Sequence, residues 1–247
     1  MSFGANAFQH VPSLRDRIMP PETSPMRFSY DRFAELDEQA RIEAWPPGWR
    51  MSHEDREANR REVLKDRLDQ DLWVFAYGSL IWNPAVYFDE IRRATLIGWS
   101  RRFCMNLTSG RGTYDCPGLM AALDEGGRCD ALAFRIPARL VDQETELMWM
   151  REMFSGSYCP VFLDVSTPQG DIEALTFVMD RDNERYCPSL GLQEAAKRIA
   201  TAEGNLGPNF EYLESLMEHL DELGIRDVGL EALYRQACEV RESSKKS

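Results

Sequence analysis

Histidine is scarce in this 247-residue chain: only His10, His53 and His219 occur, and the six cysteines include no C-x-x-C pair. A zinc-like site therefore has no donor set to draw on, and no metal is expected. Positive charge is also short, with 29 Lys and Arg against 41 Asp and Glu and a formal net charge of −12. Nucleic acids and anionic membranes need the opposite balance on a contiguous surface, so neither is expected as a partner. No apolar run approaches the roughly 18 residues of a membrane span, and "MSFGANAFQHVPSLRDRIMPP" has no secretory apolar core. A reducing cytoplasm with free thiols is the expected setting. No G-x-S-x-G elbow, P-loop or G-x-G-x-x-G follows a strand, which removes the usual support for triad hydrolases and nucleotide enzymes.

What is present falls into three stretches. Residues 1–52 hold scattered aromatics and the breakers Pro20-Pro21 and Pro46-Pro47, and read as an irregular extension. Residues 53–70 read as a leading surface helix capped by Ser52, charged on most faces. From residue 71 to 247 short apolar runs predict strands at 72–77, 92–98, 101–107, 118–123, 129–136, 161–167 and 172–179. Helices are predicted at 137–154, 192–204 (ending on Gly204), 208–224 (with Asn209 as N-cap) and 227–240. Strands first and helices last, with one helix crossing between them, give an α+β arrangement rather than a doubly wound one.

Two places carry chemistry. In "WVFAYGSLIW" (73–82) an apolar strand breaks at Gly78 and Ser79 and resumes at Leu80, Ile81 and Trp82. A glycine there lets backbone N–H groups converge on a small anion, since it has no Cβ and can take positive φ. A plain turn needs no more than the same residues. In "VDQETELMWMREMF" the helical period aligns Val141, Thr145, Met148 and Glu152. A carboxyl on that apolar line has a raised pKa and can accept a proton near neutrality, whereas Arg151 is expected some 100° away and Glu144 and Glu146 among polar positions. A helix-end Glu paired with Arg151 fits the residues too. Arg111, in the loop "SGRGTYDCPG", is a candidate cation for an anionic substrate, and Tyr158 and Tyr212 are candidate contacts.

Taken together, "VFAYGSLIW", "RGTYDCPGLMAALDEGG", "MWMREMFSGSY" and "GPNFEYLESLMEHLDELGIRD" resemble the ChaC family of glutathione-specific γ-glutamylcyclotransferases over about residues 71 to 240. The resemblance implies a γ-glutamylcyclotransferase-like fold, a small mixed or antiparallel β-barrel with flanking helices. It also implies cleavage of glutathione to 5-oxoproline and Cys-Gly without a cofactor. The family's γ-glutamyl-binding loop falls on Tyr77, Gly78, Ser79 and Leu80, and its catalytic Glu on Glu152. Where the family often has Pro-Glu after R-G-T, this chain has Tyr114-Asp115. The rival readings are a cyclotransferase for other γ-glutamyl amines or amino acids, a non-catalytic metabolite-binding relative, and a thiol-dependent transferase.

Overall fold

The computed structural model describes residues 3–4, 6–45, 48–188 and 190–245; Pro46 and Pro47 lie outside the described residues. The chain divides into two compact units, Met1–Leu96 with Ala131–Val178, and Ile97–Asp130 with Met179–Ser247. Residues 71–247 are thus shared between both.

The architecture is α+β. Strands β1 (Leu72–Ala76), β2 (Glu90–Leu107), β3 (Gly118–Ile136), β4 (Tyr158–Val165) and β5 (Ile172–Met179) form a mixed sheet in the order β2-β3-β1-β5-β4. Strand β1 is central, antiparallel to β3 with Val74 opposite Phe134, and parallel to β5 with Val74 opposite Leu175. Its Val74, Phe75 and Ala76 are all buried, as a strand covered on both faces requires. Strand β3 also pairs with β5, so the sheet curls back on itself. Two pairs of expected short strands are single long ones. Gly98 (φ 88°) lies inside β2, and Gly126 (φ 94°) and Gly127 (φ 88°) lie inside β3. These glycines bend the strands without ending them.

The first 52 residues, expected to be irregular, contain α1 (Tyr30–Ile42), started by Ser29, whose hydroxyl accepts from Arg32 N. Ahead of it Phe8, Val11, Leu14 and Ile18 are buried. Helix α2 (His53–Leu64) is capped by Ser52 as expected, its hydroxyl accepting from Asp55 N at 3.0 Å. Its charge is not simply a solvated face, however, because Arg56 and Arg60 are buried. Arg60 pairs with Glu57 and donates to the Asp142 carbonyl and Thr145 Oγ1 of α3 (Ala138–Glu152), at 3.0 and 2.9 Å. Asn59 Oδ1 accepts from Trp149 Nε1 at 2.9 Å. An arginine stem buries as well as an aliphatic chain when its head is fully paired, so no apolar stripe announces this docking.

In the second unit, α4 (Leu192–Thr201) stops before the expected Gly204, because Glu203–Gly204 (β6) pairs with Gly207–Pro208 (β7). A Cβ on Gly204 would meet the Gly110 carbonyl at 2.3 Å, and one on Gly112 would meet Gly118 N at 2.3 Å, so the 109–118 loop is closely packed. Helices α5 (Asn209–Glu222) and α6 (Val228–Lys245) follow, with Gly224 (φ 63°) closing α5. Asn209, expected as an N-cap, is the first helical residue instead. Its side chain is fully buried, accepting from Leu119 N and donating to Leu119 O at 2.8 Å each.

Candidate active site

Helix α3 is enclosed all round over its last turn, where Met148, Trp149, Met150 and Arg151 are buried, while earlier Val141, Glu144 and Thr145 are buried and Arg139, Asp142 and Gln143 are exposed. A strand-to-helix connection through Pro137 starts it, and its last residue is Glu152. The run "LMWM" over 147–150 is the sequence trace of this, since four consecutive apolar residues cover more than one helical face.

Glu152 follows Met148 and Trp149, which are 2% and 1% exposed, and keeps only 14% of its side-chain surface open. Burial pushes its carboxyl above the ordinary range, and the Arg151 charge partly offsets that. The carboxyl end of a helix acts in the same direction as burial. Arg151 does not project away as the helical spacing suggested. Its Nε lies 3.0 Å from Glu152 Oε1, its Nη2 donates to Ser79 Oγ at 2.7 Å, and its Nη1 donates to the Asn83 carbonyl at 2.6 Å. Because the last turn of α3 is enclosed, the neighbouring position has no solvent to point into. One guanidinium therefore spans the distance between the Glu152 carboxyl and the Gly-Ser turn.

The turn itself is a single tight helical turn over Ser79–Ile81, with Ile81 N donating to Gly78 O and Asn83 N to Ser79 O. Its own bonds begin at Ile81, so the Ser79 and Leu80 N–H groups precede them and stay outside the turn's bonding. Gly78 has φ −115°, so the positive φ anticipated for it is not used. Tyr77 is buried and its phenol donates to the Phe177 carbonyl at 2.8 Å, while Leu80 and Ile81 lie in the core. These three hold the turn by packing. Trp82 is half-buried, and its carbonyl accepts from Met19 N.

Tyr158 is buried and opens β4 in the same unit as Glu152. Arg111 and Tyr212 belong to the second unit. There Arg111 donates to Pro208 O at 2.7 Å and pairs with Glu211 at 3.1 Å, which uses the charge expected to be open to substrate. Tyr212 packs against Phe103. None of the six cysteines forms a disulfide, and burial pushes Cys104 up to about 12 and Cys129 up to about 11. Neither carries appreciable thiolate near neutral pH. Among the described residues no group of three or more His, Cys, Asp or Glu could hold a metal ion, and no helix is long and apolar enough to cross a membrane.

Residues 72–240 match the family model described as ChaC-like protein. This chain belongs to the ChaC family. The ChaC relative from Escherichia coli (strain K12), named glutathione-specific gamma-glutamylcyclotransferase, is 44% identical over 184 residues, covering 74% of this chain and 80% of the relative. The Schizosaccharomyces pombe protein of the same name is 33% identical over 196 residues, covering 71% and 95%. A crystal structure of a glutathione-specific gamma-glutamyl cyclotransferase from yeast matches with a TM-score of 0.65 at 22% identity, covering 70% of this chain and 98% of that one. At that identity the likeness speaks for the fold alone.

Proposed function

We propose that this protein cleaves glutathione by ring closure, releasing 5-oxoproline and Cys-Gly, with Glu152 as general acid and base. The observation that carries the reading is a mostly buried carboxyl group tied through Arg151 to the Gly-Ser turn. The names of the relatives support the substrate.

A γ-glutamyl donor brings its own nucleophile, the α-amine, so no serine or cysteine has to attack. Glu152 takes a proton from the α-ammonium group, and the freed amine attacks the γ-carbonyl carbon. The new C–N bond closes a five-membered ring as the γ-amide C–N bond breaks. The proton held by Glu152 goes to the departing Cys-Gly nitrogen, and the second proton, shed by the attacking nitrogen as it becomes the ring amide N–H, passes by the same carboxyl to complete the Cys-Gly ammonium group, so the step balances without water or a cofactor. The Ser79 and Leu80 N–H groups hold the α-carboxylate or the transient oxyanion, and Arg151 fixes the carboxyl relative to that turn. Gly78 and Trp82 flank this cradle, and Tyr158, in the same unit, is the candidate for a further substrate contact, tested by Tyr158→Phe. Six cysteines without a disulfide suit a cytoplasmic setting.

The test is incubation of the purified protein with glutathione beside γ-Glu-Ala, detecting 5-oxoproline and the released amine, with Glu152→Gln in parallel. Release from glutathione alone supports the assignment, and release from γ-Glu-Ala at a matching rate replaces it with a broader cyclotransferase. No release from either compound leaves a binding relative.

A further inference from the structure

The residues that frame the Gly-Ser turn are themselves held from a stretch outside the family match. Met19 N donates to Trp82 O at 3.1 Å, and Ser24 Oγ donates to Asn83 Oδ1 at 2.6 Å. Arg27 Nη1 donates to Ala85 O at 2.7 Å. Three successive tie points thus fall on residues 82, 83 and 85, just beyond the turn, and the family model begins only at residue 72. Ser24 and Asn83 are both buried, at 9% and 6% exposure, so water does not readily replace their bond.

Asn83 is the junction. Its N–H donates to Ser79 O, its carbonyl accepts from Arg151 Nη1, and its side chain accepts from Ser24. Moving Asn83 therefore moves both the turn and the guanidinium that reaches Glu152. Ala85, two residues on, sits at φ 58°, a left-handed conformation that a non-glycine residue keeps only where its surroundings enforce it. The Arg27 bond to its carbonyl is one such constraint. The Arg27 guanidinium also donates twice to Glu144 on α3, at 2.6 and 2.9 Å, so the same stretch is anchored to the helix that ends in Glu152.

We infer that residues 19–27 form a strap that positions the active site, with Ser24 and Asn83 as positioning residues acting through Arg151 on Glu152 and on the 78–81 turn. The inference rests on the function proposed above for its kinetic readout only. Neither residue need touch the substrate.

The experiment uses the full chain with Ser24→Ala, Ser24→Thr and Asn83→Ala. It measures glutathione cleavage by kcat and KM, melting temperature, and hydrogen exchange over the peptide containing residues 79–83. Loss of the Ser24–Asn83 hydrogen bond, joined in Ser24→Ala by that from Met26 N to Ser24 Oγ, should lower kcat about 3- to 10-fold in Ser24→Ala and Asn83→Ala, with KM within about 2-fold. Exchange over 79–83 should quicken in both, and Ser24→Thr, which keeps the hydroxyl, should restore both readouts. Should the parent protein cleave no glutathione while exchange at 79–83 still quickens, the functional reading fails and the strap stands. Unchanged exchange over 79–83 in folded Ser24→Ala and Asn83→Ala overturns the strap, as does a lowered melting temperature with kcat and exchange both at the parental level.

Discussion

Arg27→Met tests whether the N-terminal stretch is integral to the first unit. Glu144 is 0% exposed, and its carboxylate accepts two bonds from Arg27 and one from Tyr87 N at 3.0 Å. Methionine keeps much of the stem volume and removes the only cation described against that carboxylate, leaving it with the Tyr87 amide alone. Breaking one side of a buried ion pair costs about 3–5 kcal/mol. The Arg27 side chain is 17% exposed, so water can partly reach the vacated position, which favours the lower end, about 3 kcal/mol. For a chain of this size each kcal/mol moves the melting temperature by about 2–4 °C, so the variant should melt about 6–12 °C lower. Circular dichroism melting at neutral pH reads this directly. The double variant Arg27→Met/Glu144→Gln removes both charges while its amide oxygen still accepts from Tyr87. It should lie at least about 1.5 kcal/mol above the sum of the two single losses. An Arg27→Met protein melting within about 2 °C of the parent, or strictly additive losses, would refute the reasoning.

Glu152→Gln should fold, bind glutathione and lose turnover by about 10²- to 10⁴-fold in steady-state assays, the range expected for removing a general base. A base must be ionised to work, so kcat/KM should fall on the acid side along a limb placed above the ordinary carboxylate range, because burial raises this carboxyl. The same shift bears on stability. A carboxyl whose folded pKa is raised stabilises the fold fully below its unfolded value and loses that contribution as pH rises through the folded one. Melting temperatures followed from about pH 4 to 8 should therefore show Glu152→Gln gaining relative to the parent as pH rises, and a constant difference would contradict the raised pKa. Ser79→Ala takes one acceptor from the buried Arg151 head, which should cost about 1.5–3 kcal/mol of stability, measurable by urea unfolding. A variant with all six cysteines replaced by serine should retain turnover if it folds, and a folded inactive one would revive a thiol mechanism.

The α+β class, most strand positions and the placement of Glu152 on the apolar line of its helix were legible because they depend on period and local turn chemistry. The merged strands were not, since Gly98 and Gly126-Gly127 read as ends when they are bends inside β2 and β3. Polar burial was the larger gap. Arg151, Asn83, Arg60 and the Arg27–Glu144 pair look like surface residues until partners distant in sequence are brought to them, and no hydrophobic pattern encodes that pairing. Arg111 shows the converse. Its loop was read as offering a cation, while a residue 100 positions later supplies the carboxylate that pairs with it.

The Asn209 side-chain amide accepts from the backbone N–H of Leu119 and donates to the carbonyl of the same residue, standing in for a neighbouring strand at that point of β3. Such a handshake distinguishes the oxygen of the amide from its nitrogen. Aspartate in its place would set an acceptor against the Leu119 carbonyl where Nδ2 now donates, and put a negative charge in a site without solvent. An Asn209→Asp protein therefore loses the donor to the Leu119 carbonyl and gains a buried charge, and the unit that contains it is destabilised.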